Sequence, residues 1–226
     1  MTELPLVYLV VDHYNTPYFK MLSKIHKRFF ITNPLRFPPE IFKKYDVIVD
    51  NGVYARGRPS LSFCIKALKY GVPFILPDII GNPEKTLYEH LRFIEFLEKH
   101  APGLAKRVKS LGFVVLQGMK YEDFVRALEL MEDHIDFKRV AIGGLAKRRK
   151  SRKKLVDMIA LEVRKKYYVH TLGVACKHAH SFDSSWWGKR FLDQKLGRGH
   201  ALEKIKRYIE MWENLENSKH LTRFFA

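Results

Sequence analysis

The chain has 226 residues, of which 46% are hydrophobic and 13% aromatic, enough apolar material for one sizeable domain or two small ones. Its 41 lysine and arginine residues outnumber its 24 aspartate and glutamate residues and leave a net charge of +17. A globular chain this basic most often binds a polyanion, above all nucleic acid, although a heat-adapted protein also carries many surface charges.

Cysteine usage and hydropathy exclude several further classes. Cys64 and Cys176 are far apart, so they predict neither a zinc finger nor a disulfide framework. No run of about 18 apolar residues is present, and the first residues lack the basic and then apolar pattern of a signal peptide. We therefore expect a cytoplasmic protein, in the host cytoplasm if its source is viral, with no membrane partner.

Short apolar runs alternate with helical patterns along the whole chain. Strands are predicted at residues 4–11, 29–31, 46–49, 72–76, 112–116, 139–142, 168–174 and 181–183. Helices are predicted at residues 17–27, 61–70, 84–100, 121–133 and 151–165, with a proline-rich connection before the third strand. We expect a final amphipathic helix, over about residues 200–216, to pack on the same domain.

Eight strands that alternate with helices, with no linker between them, are typical of a parallel α/β fold. The pattern predicts a compact (β/α)8 TIM-like barrel that occupies residues 1–226 as a single catalytic domain. An open doubly wound sheet is the alternative.

Polar and glycine residues recur where the predicted strands end. They are Asp12, Asp50, Asp78, Gln117, Gly143, Gly144, Gly173 and Asp183. In either architecture the carboxyl ends of parallel strands form the reaction face, so these residues predict a site for a flat, hydrogen-bonding heterocycle. Any one of them taken alone is also an ordinary turn residue.

Asp183 has two interpretations on the residues alone. It lies between Phe182 and two serines, just before Trp186 and Trp187. It either caps a helix that starts near Ser185, as aspartate often does, or provides a catalytic carboxylate.

Several short motifs, in one order, resemble the tRNA-guanine transglycosylases. They are DNG at 50–52, LPD at 76–78, VLQG at 115–118, AIGGLA at 141–146, LGV at 172–174 and FD at 182–183. Members of that family are TIM barrels that exchange guanine for a 7-deazaguanine through a covalent bond to an aspartate. The resemblance covers about residues 46–184.

The chain departs from the tRNA-acting members of that family in three ways. It lacks their zinc site of three cysteines and a histidine, it lacks their Pro-Thr-Arg turn, and only nine residues separate Gly173 from Asp183. The sequence SFDSSWW at 181–187 instead resembles shorter relatives that insert 7-deazaguanines into DNA. The resemblance thus implies DNA, in preference to tRNA, and a base such as 7-cyano-7-deazaguanine (preQ0) as partners, with no cofactor and no metal.

The resemblance also implies roles for individual residues. Asp183 corresponds to the nucleophile that attacks C1′ of the nucleotide, and Asp50 to a second carboxylate that handles the proton of the incoming base. The implied base-binding residues are Asp78, Gln117, Gly143, Gly144, Leu145 and Leu172. Of these, Asp78 would accept the N1 and N2 hydrogens, the glycine segment would meet O6, and Leu172 would cover one ring face.

A basic segment follows the diglycine directly. Seven of the eight positions from 147 to 154 are cationic, and the implied nucleic-acid contacts are Lys147, Arg148, Arg149, Lys150, Arg152 and Lys153, with Trp186 and Trp187. The cations either contact phosphates or form a solvated helix face. The tryptophans either stack on an unpaired base or pack in the core.

Two other functions and one other site remain as alternatives. A tRNA-acting enzyme without the zinc site is one, and a barrel that binds nucleic acid without chemistry is the other. His178 and His180 form an HxH pair near Cys176, but no third ligand accompanies them, so we expect no metal site there.

Overall fold

Eight parallel strands form a closed barrel in the computed structural model, which describes residues 4–144, 151–185 and 198–213. Each strand pairs with the next along the chain, and β8 pairs with β1 to close the ring. The strands are β1 Leu6–Val11, β2 Arg28–Ile31, β3 Asp46–Val49, β4 Phe74–Ile75, β5 Gly112–Leu116, β6 Arg139–Ile142, β7 Tyr168–Thr171 and β8 Ser181–Ser184. The predicted (β/α)8 TIM-like barrel is therefore confirmed.

Helices connect the strands around the outside of the barrel. They are α1 Pro17–Ile25, α2 Pro39–Lys44, α3 Val53–Arg56, α4 Leu61–Tyr70, α5 Pro83–His100, α6 Pro102–Leu111, α7 Tyr121–His134, α8 Ser151–Val163 and α9 Arg198–Glu213, with a 3₁₀ turn at Pro34–Arg36. In the described part of the chain, no helix is both long enough and apolar enough to cross a bilayer.

The sequence pattern predicted neither α2 nor α6. Both helices begin with a proline, at Pro39 and Pro102. Proline at the first helical position costs no hydrogen bond, because the first amides of a helix have no partner within the helix. The proline-rich connection predicted before the third strand therefore contains a helix start at Pro39.

Three strands, β1, β4 and β7, are shorter than the pattern predicts, and local turns explain two of them. Before β4, the amide of Val72 still donates to the carbonyl of Ala67 at 3.1 Å, and Pro73 has no amide hydrogen for the sheet. After β7, Gly173 adopts a φ of 67°, which turns the chain out of the extended conformation. Local turn chemistry thus delays the start of β4 and ends β7 early.

Side chains alternate along each strand between the barrel interior and the layer under the helices. The interior cluster contains Tyr8, Phe30, Ile48, Ile75, Phe113, Val115 and Ala141, and the larger outer core lies between the strands and the helices. At the amino ends of the strands, the Tyr8 hydroxyl donates to the Asp46 carboxylate at 2.8 Å and Arg139 lies over the Phe113 and Tyr168 rings. This end of the interior is therefore filled by aromatic and paired charged groups.

Helix α9 fixes the outer side of β8, the strand that carries Asp183. The Trp212 ring is 1% exposed and meets the Phe182 ring edge to face, with ring centroids 4.8 Å apart. Ile205 and Ile209 are also buried on this helix. Phe182 points outward, so its neighbour Asp183 points into the barrel.

We expect the Trp212→Ala substitution to lower the free energy of unfolding by about 3–5 kcal/mol, because it empties a fully buried indole site. Urea denaturation measures this change. Leu161→Ala, at a 47% exposed position of α8, is the control and is expected to change the free energy by less than about 0.5 kcal/mol. Equal effects of the two substitutions would contradict the packing of α9 described above.

Candidate active site at the carboxyl ends of the strands

Three carboxyl groups lie near one another at the carboxyl ends of β3, β4 and β8. Asp50 follows β3 and shares the inward face of Ile48, two positions earlier. Burial and, after it, the negative charges of Asp78 and Asp183 together raise the pKa of Asp50 to about 7. Both the protonated and the ionised form of Asp50 are therefore available near neutral pH.

Asp78 is held from both sides by amide side chains. The residue is only 2% exposed. Its Oδ1 accepts a hydrogen bond of 2.5 Å from Asn51 Nδ2, and its Oδ2 accepts one of 2.5 Å from Gln117 Nε2. Burial raises the pKa of Asp78 to about 6, and these two hydrogen bonds oppose the rise. Asp78 is therefore mainly ionised at neutral pH.

Asn51 is a positioning residue that the sequence patterns did not single out. It is fully buried, its Nδ2 also donates to the Leu76 carbonyl at 2.7 Å, and its Oδ1 accepts the Val53 amide at 2.9 Å. An asparagine before glycine is usually a turn residue. The available signals were its place directly after Asp50 and its membership of the DNG motif at 50–52.

The diglycine after β6 packs against the Gln117 side chain. A Cβ added to Gly143 would lie 2.8 Å from Gln117 Nε2, and one added to Gly144 would lie 2.6 Å from Gln117 Oε1. Gly144 also has a φ of 75°, which other residues adopt only with strain. Because Gln117 Oε1 accepts the Gly81 amide at 3.1 Å as well, the carboxamide is fixed in one orientation toward Asp78.

Asp183 lies inside β8, where it pairs with Tyr8 of β1. The residue is 8% exposed, and its Oδ1 accepts the amide of Gly173 at 2.9 Å, ten positions earlier in the chain. The carboxylate thus bonds across to the end of β7. The residues after Ser185, where the helix of the alternative interpretation of Asp183 would continue, lie outside the described part of the chain.

His170 of β7 is the second residue of this region that the sequence patterns did not single out. It is fully buried, its Nδ1 lies 2.8 Å from Ser181 Oγ, and its Nε2 lies 3.3 Å from Asp183 Oδ1. The contact between Nε2 and Asp183 Oδ1 lies within ion-pair distance but does not have the geometry of a hydrogen bond. A histidine in an apolar strand gives no sign of which residue it will face, because that depends on the pairing register.

The remaining predicted residues divide into three groups. Leu172 is half-buried against the interior cluster, whereas Asp12 and Lys153 are exposed. The positions outside the described residues are Leu145, Lys147, Arg148, Arg149, Lys150, Trp186 and Trp187, together with the side chain of Arg152.

The HxH segment makes protein contacts of its own. His180 Nδ1 accepts the Val169 amide at 3.0 Å, and Cys176 donates to Asp157 at 3.2 Å. Among the residues that the structure describes, no three histidine, cysteine or acidic side chains are grouped so as to hold a metal ion.

We expect Gly144→Ala to lower the free energy of unfolding by about 1–3 kcal/mol, since it combines a strained φ with a collision against Gln117. Urea denaturation provides the measurement. Gly103→Ala in α6 is the matched control, because an added Cβ there meets no atom within 4 Å. If the two alanine variants were equally stable, the close approach of Gln117 to the diglycine would be wrong.

The raised pKa values of Asp50 and Asp78 predict a pH dependence of stability. Between the ordinary aspartate pKa of 3.8 and the folded values of about 7 and about 6, the folded state binds more protons than the unfolded chain. Their contribution to the free energy of unfolding is therefore greatest below the ordinary pKa and falls as the pH rises toward 7. Above the folded values it stays constant.

Asp50→Asn should accordingly raise Tm at pH 8 by at least about 2–4 °C, the shift that 1 kcal/mol produces in a domain of this size, and should change Tm little near pH 4. Thermal unfolding followed by circular dichroism at both pH values tests this expectation. Asp12→Asn, at an exposed strand end, is the control and should follow the wild-type curve. A lower Tm for Asp50→Asn at pH 8 would contradict the assignment.

Comparison with protein-family models and with curated proteins finds no match to this chain. The resemblance to the tRNA-guanine transglycosylases therefore depends on the sequence motifs. The geometry and chemistry of the site decide which reaction it supports.

Proposed function

We propose that this protein is a transglycosylase that exchanges guanine in a nucleic acid for a 7-deazaguanine base through a covalent aspartyl-nucleotide intermediate. The proposed nucleic acid is DNA rather than tRNA. The observation that carries the proposal is the grouping of Asp50, Asp78 and Asp183, with the pKa of Asp50 raised to about 7 by burial and by the other two carboxylates. A structural role does not require three neighbouring carboxyl groups, two of them buried and one half-buried, whereas base exchange requires a nucleophile, an acid–base group and a base-binding group.

Asp183 is the proposed nucleophile. One of its carboxylate oxygens forms a bond to C1′ of the nucleotide while the bond from C1′ to N9 of guanine breaks and its electron pair remains on the purine. An anionic oxygen suits this step, because the transition state is oxocarbenium-like and carries positive charge on the sugar. Both described contacts of the carboxylate, with Gly173 and His170, fall on Oδ1, so the attack is assigned to Oδ2.

Asp50 is the proposed acid–base group. In its protonated form it gives a proton to the departing guanine, and in its ionised form it takes the N9 proton of the incoming 7-deazaguanine. That base then bonds to C1′ as the ester bond to Asp183 breaks and the carboxylate is restored. A pKa of about 7 makes both forms available at neutral pH, which is the value that suits a group with both duties.

Asp78 is the proposed recognition group for the purine edge. A carboxylate oxygen has more than one lone pair, so each oxygen that accepts an amide from Asn51 or Gln117 still has room for a second donor. The N1 and N2 hydrogens of guanine and of 7-deazaguanines supply two parallel donors of that kind. Because the pKa of Asp78 is about 6, the group is an acceptor at neutral pH.

The polymer partner is proposed from charge and sequence. A net charge of +17 favours a polyanion, and the basic segment at 147–154 comes soon after β6 in the sequence, the strand that the diglycine follows. The missing zinc ligands and the SFDSSWW sequence favour DNA over tRNA. The base must leave the stack before a barrel of this kind can reach C1′, so single-stranded DNA is also a candidate substrate.

The proposal is tested by incubating the protein with labelled 7-cyano-7-deazaguanine and duplex DNA, single-stranded DNA or tRNA. We expect label to enter DNA, and we expect Asp183→Asn to lower the rate by at least about 10³-fold through loss of the nucleophile. Wild-type protein mixed with guanine-containing DNA should also give a protein–DNA adduct on a denaturing gel, and Asp183→Asn should not.

A further variant tests the role of Asp78, and a second variant is its control. Asp78→Ala should weaken binding of the free base and so raise its KM, whereas Asp12→Asn at an exposed strand end should leave exchange at the wild-type rate. Label in tRNA alone would replace the DNA assignment with a tRNA-acting enzyme. Full exchange by Asp183→Asn, or no exchange by wild type with any of the three polymers, would contradict the proposed reaction.

A further inference from the structure

His170 is a polar side chain in an otherwise aromatic part of the barrel interior. Its ring stacks on Phe30, with centroids 5.6 Å apart and planes 7° apart, and it meets the Tyr8 and Phe113 rings at 5.9 and 5.8 Å. A buried imidazole in such surroundings costs free energy unless its nitrogens find partners. The three rings also prevent the imidazole from turning away from the groups that it faces.

Each ring nitrogen faces one residue of β8. Nδ1 lies 2.8 Å from the Ser181 hydroxyl, and Nε2 lies 3.3 Å from Asp183 Oδ1. Ser181 and Asp183 are two positions apart, so both point inward from the same strand. An ionised carboxylate only accepts hydrogen bonds, so a proton on Nε2 suits the Asp183 side of the ring, and the serine hydroxyl can then donate to Nδ1.

The same carboxylate oxygen also accepts the Gly173 amide at 2.9 Å. Oδ1 is thus approached by one backbone donor and by His170 from β7, the strand that pairs with β8. The amide hydrogen bond and the imidazole contact on one oxygen restrict the rotation of the carboxylate and so define where Oδ2 lies. This arrangement is what a nucleophile needs if it is to meet one carbon atom of a sugar in line.

We propose that His170 is a positioning residue for Asp183, with its ring proton on Nε2 facing Oδ1 and with Ser181 donating to Nδ1. The effect of His170 on catalysis rests on the proposed base exchange, whereas the position of the proton on the His170 ring does not depend on any reaction. His170 does not touch the nucleotide. It acts by holding the oxygen that does not attack.

The ring-proton arrangement is tested by nitrogen NMR of the full chain labelled with ¹⁵N-histidine at neutral pH. We expect a proton on Nε2 of His170, and we expect its resonance to move in Asp183→Asn and in Ser181→Ala. Asp12→Asn is the matched control and should leave the resonance in place. An Nε2 without a proton, or a resonance that Asp183→Asn leaves unmoved, would overturn the inference.

The catalytic consequence is tested by comparing three substitutions of His170. Phe keeps the ring shape but removes both nitrogens, Gln places an amide nitrogen near the position of Nε2, and Asn places a polar atom near Nδ1 only. We expect Phe and Asn to lower kcat for exchange by up to about 10²-fold, the cost of a misplacement of 1 Å, with the KM of the base unchanged. Gln should restore much of the lost kcat.

A merely structural role for His170 would give Gln and Asn variants of equal kcat, and that result would overturn the positioning role. Thermal unfolding of all three variants shows whether each is folded at the assay temperature. If wild type exchanges no base in any polymer, the proposed function fails, and the NMR measurement still decides whether His170 holds Asp183.

Discussion

The chemistry proposed for this protein depends on the burial of carboxyl groups close to one another at the carboxyl ends of parallel strands. A barrel brings the ends of β3, β4 and β8 to one opening even though Asp50 and Asp183 are far apart in sequence. Taking a carboxylate out of water is costly, and placing a second negative charge beside it adds to that cost. Proteins retain such groupings where function requires them.

The surroundings of the three groups differ, and the difference assigns their duties. Asp78 receives two amide side chains and Asp183 receives a backbone amide on Oδ1, so both anions have strong donors. Asp50 has the highest raised pKa of the cluster, about 7, because burial and its two acidic neighbours outweigh its backbone hydrogen bonds to Asn51 and Gly52. Asp50 is therefore the member of the cluster to which the proposed reaction assigns proton exchange.

The sequence was sufficient for the fold and for the positions at the strand ends. The strands are visible as local hydrophobic patterns, so the sequence shows that Asp50, Asp78 and Gln117 each follow a strand. The carboxyl ends of parallel strands form one face, which predicts that these residues share it. The resemblance implies that the glycine segment meets O6 of a bound base, and this remains a prediction. The close packing of the Gln117 side chain on the diglycine was not predicted.

Contacts between distant residues could not be predicted in the same way. Asn51 reaches Asp78 across 27 positions, and His170 reaches Ser181 across 11. Each contact depends on strand register and on side-chain rotamers, neither of which a single sequence specifies. Helix α6 was not predicted for a different, local reason. A proline that starts a helix and a proline that interrupts one look alike in sequence.

The most direct test of the carboxylate grouping is a titration of the aspartate carboxyl carbons by ¹³C NMR. The account predicts a midpoint for Asp50 of about 7, which falls when Asp78 or Asp183 is replaced by asparagine, because each substitution removes a neighbouring negative charge. An Asp50 midpoint at the ordinary aspartate value of 3.8 that neither substitution changes would contradict it.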